Sequence, residues 1–430
     1  MAFDSEEIRK RQQRRRQEAQ RRKEQQKLLR KRIIIGLIAA AVVLALCGLV
    51  ILLLQHTAQP EPSDPSGSET TLPAQTQPTQ PETVIDLAFG GDLNVTDKVV
   101  ASGTAGDGYD YTDVFMDIVP LFAGADAAAV NFEGNLCGAP YGTENTRAPQ
   151  ALMEALSAAG VDMIQMANSC TVNNGLLGLS STLDGIRAAG MEPLGAYATP
   201  EEFERSGGFT LRSIHGVKVA FVAFTKGVSS MGLPAGSEDC VNLLYKDYTS
   251  TYQEVDTEGI TQVLEAVALE QPDVTIAMLH WGSEYNSQIS DTQEQIVKLM
   301  QKNGVDAIIG THSHYVQAVE YEKSAGTLVA YSLGDLYGDA DRSGTNYSIV
   351  LNLQITKNNQ TGEAKITGYD CTPIYTVTQQ NDGVATTRIL RIRDAIASFE
   401  ANSIDKVSEE TYNAMKSALS KIQSRTEPKK

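Results

Sequence analysis

Residues 33–54 constrain the chain more than any other feature: no side chain in this run is charged or strongly polar, and Ile, Leu, Val and Ala predominate. As an α-helix rising about 1.5 Å per residue it would be roughly 33 Å long, enough to cross a hydrocarbon core of about 30 Å. A cleaved secretory signal has a shorter apolar stretch, about 7–15 residues. Leu44-Ala45-Leu46-Cys47 loosely mimics a lipoprotein cleavage site, but Leu46 is bulky where a small residue is needed, and six apolar residues follow Gly48. The expectation is one transmembrane helix over 33–54, in contact with membrane lipid, with Cys47 as a bilayer-facing or packing residue.

The flanks give this helix a direction. Residues 1–32 hold 13 Lys or Arg against five Asp or Glu and end in Arg30, Lys31 and Arg32. Short flanks rich in cations stay cytoplasmic. The expected topology is single-pass in the cell membrane, with a cytoplasmic N-terminus and an extracellular C-terminal domain. The dense run of Arg14, Arg15, Arg16, Arg21 and Arg22 reads as a topology signal touching anionic headgroups, not as a nucleic-acid-binding arm. Residues 55–83 carry six prolines among Gln, Thr, Ser and Glu and cannot build a core. They read as a stalk with an r.m.s. reach on the order of 30 Å. Residues 33–430 hold 23 basic and 48 acidic residues, which argues against general electrostatic binding of polyanions. A local site for an anion stays open.

From residue 84 onward, short β-rich runs alternate with amphipathic helical patterns, the signature of an α/β domain with a buried sheet. Strands are expected over 85–90, 127–131, 163–167, 217–224, 274–280 and 307–310. Helices are expected over 113–122, 149–159, 176–189, 256–270 and 291–302, with Gly160, Gly190 and Gly304 just past three of them. Strands at 348–356 and 365–369 suit an antiparallel edge or second sheet. One domain over 84–378 is followed by a segment, 379–430, read as helical.

Open α/β sheets build their sites where strands end, and six such segments carry polar residues. They are Gly90-Gly91-Asp92-Leu93-Asn94, Asn131-Phe132-Glu133, Ala167-Asn168-Ser169-Cys170, His280-Trp281-Gly282-Ser283-Glu284, Gly310-Thr311-His312-Ser313-His314 and Tyr331-Ser332-Leu333-Gly334-Asp335. Of five histidines in the chain, three fall in two of these segments. Imidazoles and carboxylates together suit Mn, Fe or Zn, one ion or two. A two-metal centre polarises a phosphoryl oxygen and generates a hydroxide nucleophile. His312 and His314 alternate, so on an extended segment they point the same way. Each element also has an ordinary reading: Asp92 as a turn or cap residue, His280 as a satisfied core histidine, Glu133 and Glu284 as solvated acids. His215, in Ile214-His215-Gly216, reads as a hairpin-turn residue.

In order and spacing these segments resemble the CapA family of capsule-synthesis proteins, linked to poly-γ-glutamate, over roughly residues 85–373. Particularly close are His280-Trp281-Gly282 with Glu284, the run from Gly304 to His314, and Tyr331-Ser332-Leu333-Gly334. The resemblance implies a layered, calcineurin-like metallophosphoesterase sandwich, with mixed sheets flanked by helices. It implies Asp92, Glu133, His280, His312 and His314 as metal ligands. Trp281 and Glu284 would line the entrance, with Asn94 and Asp335 as further substrate contacts. The family shows Asn-Asn-His where this chain has Asn168-Ser169-Cys170, so a metal-binding carboxamide and a catalytic histidine are both replaced. Asn168 is a candidate substitute carboxamide, and Cys170 stands at the histidine position. Asn173 and Asp335 also depart from the pattern. A disulfide between Cys137 and Cys170 at the mouth of the site is a further hypothesis.

The leading functional reading is an anchored extracellular protein acting in synthesis, export or attachment of an anionic capsule polymer, beside polymer synthase or export proteins. Two alternatives stay open: an extracellular metal-dependent phosphoesterase, and a non-catalytic binding or scaffold domain with a degenerate site. Whether the chain is an enzyme is left undecided by the altered segment.

Overall fold

The computed structural model describes residues 81–228, 232–381, 384–403 and 406–427. The expected transmembrane helix, its basic arm and nearly all of the expected stalk lie outside these residues. No helix among the described residues is long and apolar enough to cross a membrane.

In chain order the strands begin with β1 (Glu82–Asn94), a small hairpin of β2 (Thr104–Ala105) and β3 (Gly108–Tyr109), β4 (Ala127–Glu133), β5 (Met163–Gln165) and β6 (Glu192–Leu194). There follow β7 (Thr210–Ile214), β8 (Val217–Thr225), β9 (Val274–His280), β10 (Ala307–Thr311), β11 (Val319–Glu322) and β12 (Thr327–Ala330). The last four are β13 (Asp335–Tyr337), β14 (Tyr347–Asn358), β15 (Ala364–Asn381) and β16 (Val384–Arg391). One sheet has the order β16-β15-β14-β1-β4-β5-β6, with β13 added beside the end of β1, and the other the order β11-β12-β10-β9-β8-β7. Strands β1, β4, β5 and β6 run parallel, as do β8, β9, β10 and β12, while the outer strands turn antiparallel.

Side-chain alternation explains the layers. Along β8, Val219, Phe221 and Ala223 join the cluster that holds Leu87 and Phe89 of β1. Ala220, Val222 and Phe224 instead meet Leu264 and Val267 of the helix Thr257–Leu269 and Ile296 and Met300 of the helix Asp291–Lys302. The second sheet therefore buries one face against the first sheet and the other under helices. Helices Gln150–Ala158 and Gly175–Ala188 supply Leu152, Leu156, Leu179 and Leu183 to the first cluster. A strand covered on both faces must be apolar throughout, and β9, VTIAMLH, is buried at every position.

The helix Asp291–Lys302 starts at a capping box, Ser290 with Gln293, and ends before Gly304 at φ 84°. The expected helix over 113–122 is instead two short helices, Thr112–Phe115 and Val119–Phe122, with Pro120 opening the second. The expected helical segment 379–430 begins as strand: β15 continues to Asn381 and β16 returns beside it before the helices Ile392–Glu400 and Glu409–Thr426. The last helix buries Met415, Ala418 and Ile422 in the main core. Gln77–Lys430 forms one compact unit with its own core, so this segment has what it needs to fold alone.

A single stretch of backbone links the sheets. Tyr331-Ser332-Leu333-Gly334 crosses between β1 and β10: Leu333 N donates to Gly310 O at 3.1 Å, and Gly334 O accepts from Asp92 N at 3.0 Å. A Cβ at Gly91 would sit 1.8 Å from Gly334 O, and one at Gly310 only 1.9 Å from Tyr331 O. Glycine is required at both places because backbone packs on backbone. Gly310→Ala is expected to cost about 3 kcal/mol or more, read as a lowered denaturant midpoint for Gln77–Lys430. A midpoint equal to that of the unmodified domain would refute this packing argument.

Candidate metal centre

The register of the sheets places the polar residues. In the first sheet Asp92 lies beside Asn131 on one side and Asp335 on the other, and Asn94 pairs with Glu133. In the second, His280 pairs with Thr311, the last residue before His312. Asp92, Asn131, Glu133, His280 and Thr311 lie at or near the C-terminal ends of parallel strands, and Asp335 opens β13 beside the end of β1, so one buried focus collects them.

Asp92 is its hub. Its Oδ1 accepts from Asn131 Nδ2 at 2.6 Å, and its Oδ2 accepts from the His312 backbone N–H at 2.9 Å. On one side Asp92, Glu133 and His280 each offer a ligand atom, all within 4.8 Å of one another; on the other Asp92, His314 and Asp335 do the same. His280 Nε2 lies 4.0 Å from Glu133 Oε2, and His314 Nδ1 lies 2.8 Å from Asp335 Oδ1 and 3.9 Å from Asp92 Oδ2. The His312 ring centroid is 4.5 Å from that of His280, though His312 belongs to neither set of three.

His312 and His314 do not alternate on a strand. Both have left-handed backbone, φ 88° and 58°, in a tight turn after β10. Such strain is rare in residues other than glycine and clusters at functional sites.

Electrostatics disfavour this focus without a cation. Burial pushes the Glu133 carboxyl well above the usual carboxylate range, and the neighbouring Asp92 charge adds to it. Burial also raises Asp92, against the pull of His314, and lifts Asp335 to about 6 against its hydrogen bond to His314. Burial lowers His314, but the Asp335 hydrogen bond and the charges of Asp335, Asp92 and Glu133 outweigh it and raise its pKa to about 10. Burial drives His280 and His312 well below the usual imidazole range, so both are neutral and able to ligate. Two polar atoms, Glu133 Oε1 and His312 Nδ1, are buried with no hydrogen-bond partner. Unpartnered buried polar atoms beside crowded carboxyl groups are what a divalent cation would satisfy, and the mixed oxygen and nitrogen donors fit Mn, Fe or Zn.

Hydrogen bonds hold the altered segment in place. Asn168 is not free to stand in as a ligand: its Nδ2 donates to Phe132 O at 2.7 Å and to Asn131 Oδ1 at 3.1 Å, and its Oδ1 accepts from Cys170 N at 2.9 Å. Ser169 Oγ instead lies 3.0 Å from His280 Nε2. Cys170 Sγ is 4.0 Å from Glu133 Oε2, and burial with that charge pushes the thiol well up, away from nucleophilic form. Cys137 and Cys170 are both free thiols, which removes the proposed disulfide.

Other expectations change. Trp281 does not line an entrance: it is fully buried, stacks on Tyr331 and donates Nε1–H to Tyr331 O at 2.9 Å. Asp335 faces the ligands rather than an outer substrate contact, and Asn94 donates to it at 3.0 Å. Glu284 is exposed and borders two recesses over the centre, of about 360 and 350 Å³. His215 occupies the β7–β8 turn, 2.8 Å from Asp126. The sequence singles out Asn131 only as part of a strand-end segment, without a role, and does not point to Tyr285, Lys226 or Arg342 at all. Asn131 was within reach, two residues before Glu133 on the same strand face; the others sit outside any periodic pattern.

Residues 86–340 match the family described as Bacterial capsule synthesis protein PGA_cap, and the chain belongs to that family. It is 25% identical over 300 residues to the PGA biosynthesis protein CapA of Bacillus subtilis (strain 168), covering 68% of this chain and 73% of that one. It is also 25% identical over 263 residues to the capsule biosynthesis protein CapA of Bacillus anthracis, covering 58% and 59%. Among solved structures, the calcineurin-like phosphoesterase YfkN from Bacillus subtilis aligns over 80% of this chain and 99% of its own, at 15% identity and a TM-score of 0.39.

Mn²⁺ is expected to stabilise Gln77–Lys430 by about 2.7 kcal/mol at 100 times its Kd, and Asp92→Asn to abolish the effect. Groups whose folded pKa is raised stabilise the metal-free fold fully below their ordinary values and lose that contribution as pH climbs through the folded ones. For Asp335 this loss runs from about 4 to about 6, and for His314 from about 6.5 to about 10. Mn²⁺ must displace those protons, so its shift of the melting temperature should be larger near pH 8 than near pH 6. Thermal denaturation with and without Mn²⁺ checks both, and a pH-independent shift contradicts the assignment.

Proposed function

We propose that this protein is anchored in the cell membrane by residues 33–54 and works outside the cell. There it acts in the synthesis, export or attachment of an anionic capsule polymer such as poly-γ-glutamate, through a divalent-metal site centred on Asp92. The observation that carries the reading is the shared role of Asp92 in two ligand sets, with the partnerless Glu133 Oε1 and His312 Nδ1 beside it. The printed roles of the relatives, PGA biosynthesis and capsule biosynthesis, support the choice of polymer. The apolar run, the basic arm and the Pro-rich segment support the anchor and stalk. Membrane-embedded synthase or export proteins are the partners this placement calls for.

Asp92, Glu133, His280, His314 and Asp335, with His312 alongside, would hold one or two ions of Mn, Fe or Zn. Such an ion supplies Lewis-acid polarisation of an anionic oxygen. Asn131 and the His312 amide fix the Asp92 carboxylate, and Ser169 and Thr311 bracket the His280 ring, with Thr311 Oγ1 3.1 Å from Nδ1. Preorganised donors of this kind need no rearrangement when a ligand arrives.

A phosphoesterase on a metallophosphoesterase-like fold is the weaker reading, because Asn168 is tied into the core and Cys170 has no imidazole to donate a proton. A scaffold without chemistry would keep the fold and discard the buried carboxyl cluster, which costs stability and is retained here. Gln77–Lys430 with Mn²⁺ is expected to show background hydrolysis of phosphomonoesters and phosphodiesters. Replacing Ser169→Asn and Cys170→His together should raise it by about 100-fold or more. Brisk hydrolysis by the unmodified domain would overturn the polymer reading in favour of the phosphoesterase.

A further inference from the structure

The cleft over the metal centre has two arms. One recess is bordered by His314 and Arg342, the other by His312 and Lys226, and the exposed Glu284 borders both. The tight turn at His312-Ser313-His314 thus presents one histidine to each arm.

Each arm contains one Lys or Arg; the Arg342 arm is also lined by Asp339 and by Glu133 and Asp335 of the candidate metal centre, whose charge a bound cation would offset. Neither cation forms an ion pair with a carboxylate among the described residues. Lys226 is half-buried; its Nζ donates to the neutral Gly282 O at 2.6 Å and lies 4.4 Å from the centroid of the Tyr252 ring. The charge of Glu284 acts on it across the recess, but no carboxylate reaches ion-pair distance, so this partly desolvated ammonium has no direct counter-ion. Arg342 lies over the Tyr285 ring at 3.8 Å, and Tyr285 in turn stacks on His314 at 4.9 Å between centroids. Stacking fixes the guanidinium plane and leaves its N–H edge for a carboxylate or phosphate. Tyr285 itself has left-handed backbone, φ 54°, and its N–H donates to Ser313 O at 2.8 Å, which ties the stack to the histidine turn.

We propose that Lys226 and Arg342 are specificity residues that grip successive anionic groups of one extended polycarboxylate chain on opposite sides of the metal centre. Glu284, between the arms, repels an anion placed there and so sets the spacing of the groups that bind. The inference rests on the polymer reading above and adds which residues read the polymer. It separates a chain that spans both arms from a small anion that fits one.

The test titrates Mn²⁺-loaded Gln77–Lys430, which lacks the basic arm, with an oligo-γ-glutamate of about ten residues and with glutamate alone. Lys226→Gln and Arg342→Gln should each weaken oligomer binding about tenfold, and together about 100-fold, since distant sites add. Lys226→Arg, which keeps the charge, should bind within about threefold of the unmodified protein. Mn²⁺ affinity, measured separately, should not fall in any of them, and in Lys226→Gln any change should be a rise, because the Lys226 charge acts on His280 and His312; retained Mn²⁺ binding shows that the variants are folded. Oligomer affinity unchanged in both single variants, with Mn²⁺ bound normally, overturns the assignment. Failure of the unmodified protein to bind the oligomer overturns the polymer reading itself.

Discussion

The buried carboxylate of Asp92 is the interaction on which the rest of the structure depends. It stands at the end of a strand in the first sheet, accepts from Asn131 in that sheet and from the His312 amide beyond the second. One fully buried group therefore couples the two sheets where the site is assembled. An isolated carboxylate in such a place costs several kcal/mol in practice unless charge or hydrogen bonds compensate. Here two hydrogen bonds and His314 compensate only in part, since burial still raises its pKa. The remaining deficit is the reason a divalent cation fits at this point.

The glycines near the site serve the same coupling. Gly91 and Gly310 let the Tyr331–Gly334 backbone pass between the sheets, and that passage delivers Asp335 beside Asp92 and lets Trp281 pack under Tyr331. The Gly-Gly-Asp, Gly-Thr-His and Tyr-Ser-Leu-Gly segments are thus one structural device in three pieces. Backbone proximity sets the positions of these side chains, and the crowded carboxyl groups in turn sit in a field that bound protons relieve in the metal-free domain and a divalent cation would relieve in their place.

Much of this was legible in the sequence where local rules decide the outcome. The strand 274–280 and the helix 291–302 were expected at the bounds observed, because an uninterrupted apolar run and a capped amphipathic pattern leave little choice. The gathering of Asp92, Glu133, His280 and His314 followed from strand-end placement. What escaped depends on contacts distant in the chain. Trp281 reads as a lip residue until Gly310, far along the chain, is seen to make room for it. Asp335 reads as an outer contact until its register beside Asp92 is known. His312 and His314 face the centre through left-handed turns, which no periodicity announces, and β16 reads as helix until its pairing with β15 is seen. Lys226 and Arg342 lie in loops whose course is set by the fold alone.

Anomalous diffraction from Gln77–Lys430 crystals soaked in Mn²⁺, collected at the manganese edge, tests the central claim most directly. The account predicts one or two peaks, at least one within about 2.5 Å of an Asp92 carboxylate oxygen. Mn²⁺ bound only elsewhere on the domain, or no peak beside Asp92 in well-ordered crystals, would contradict it.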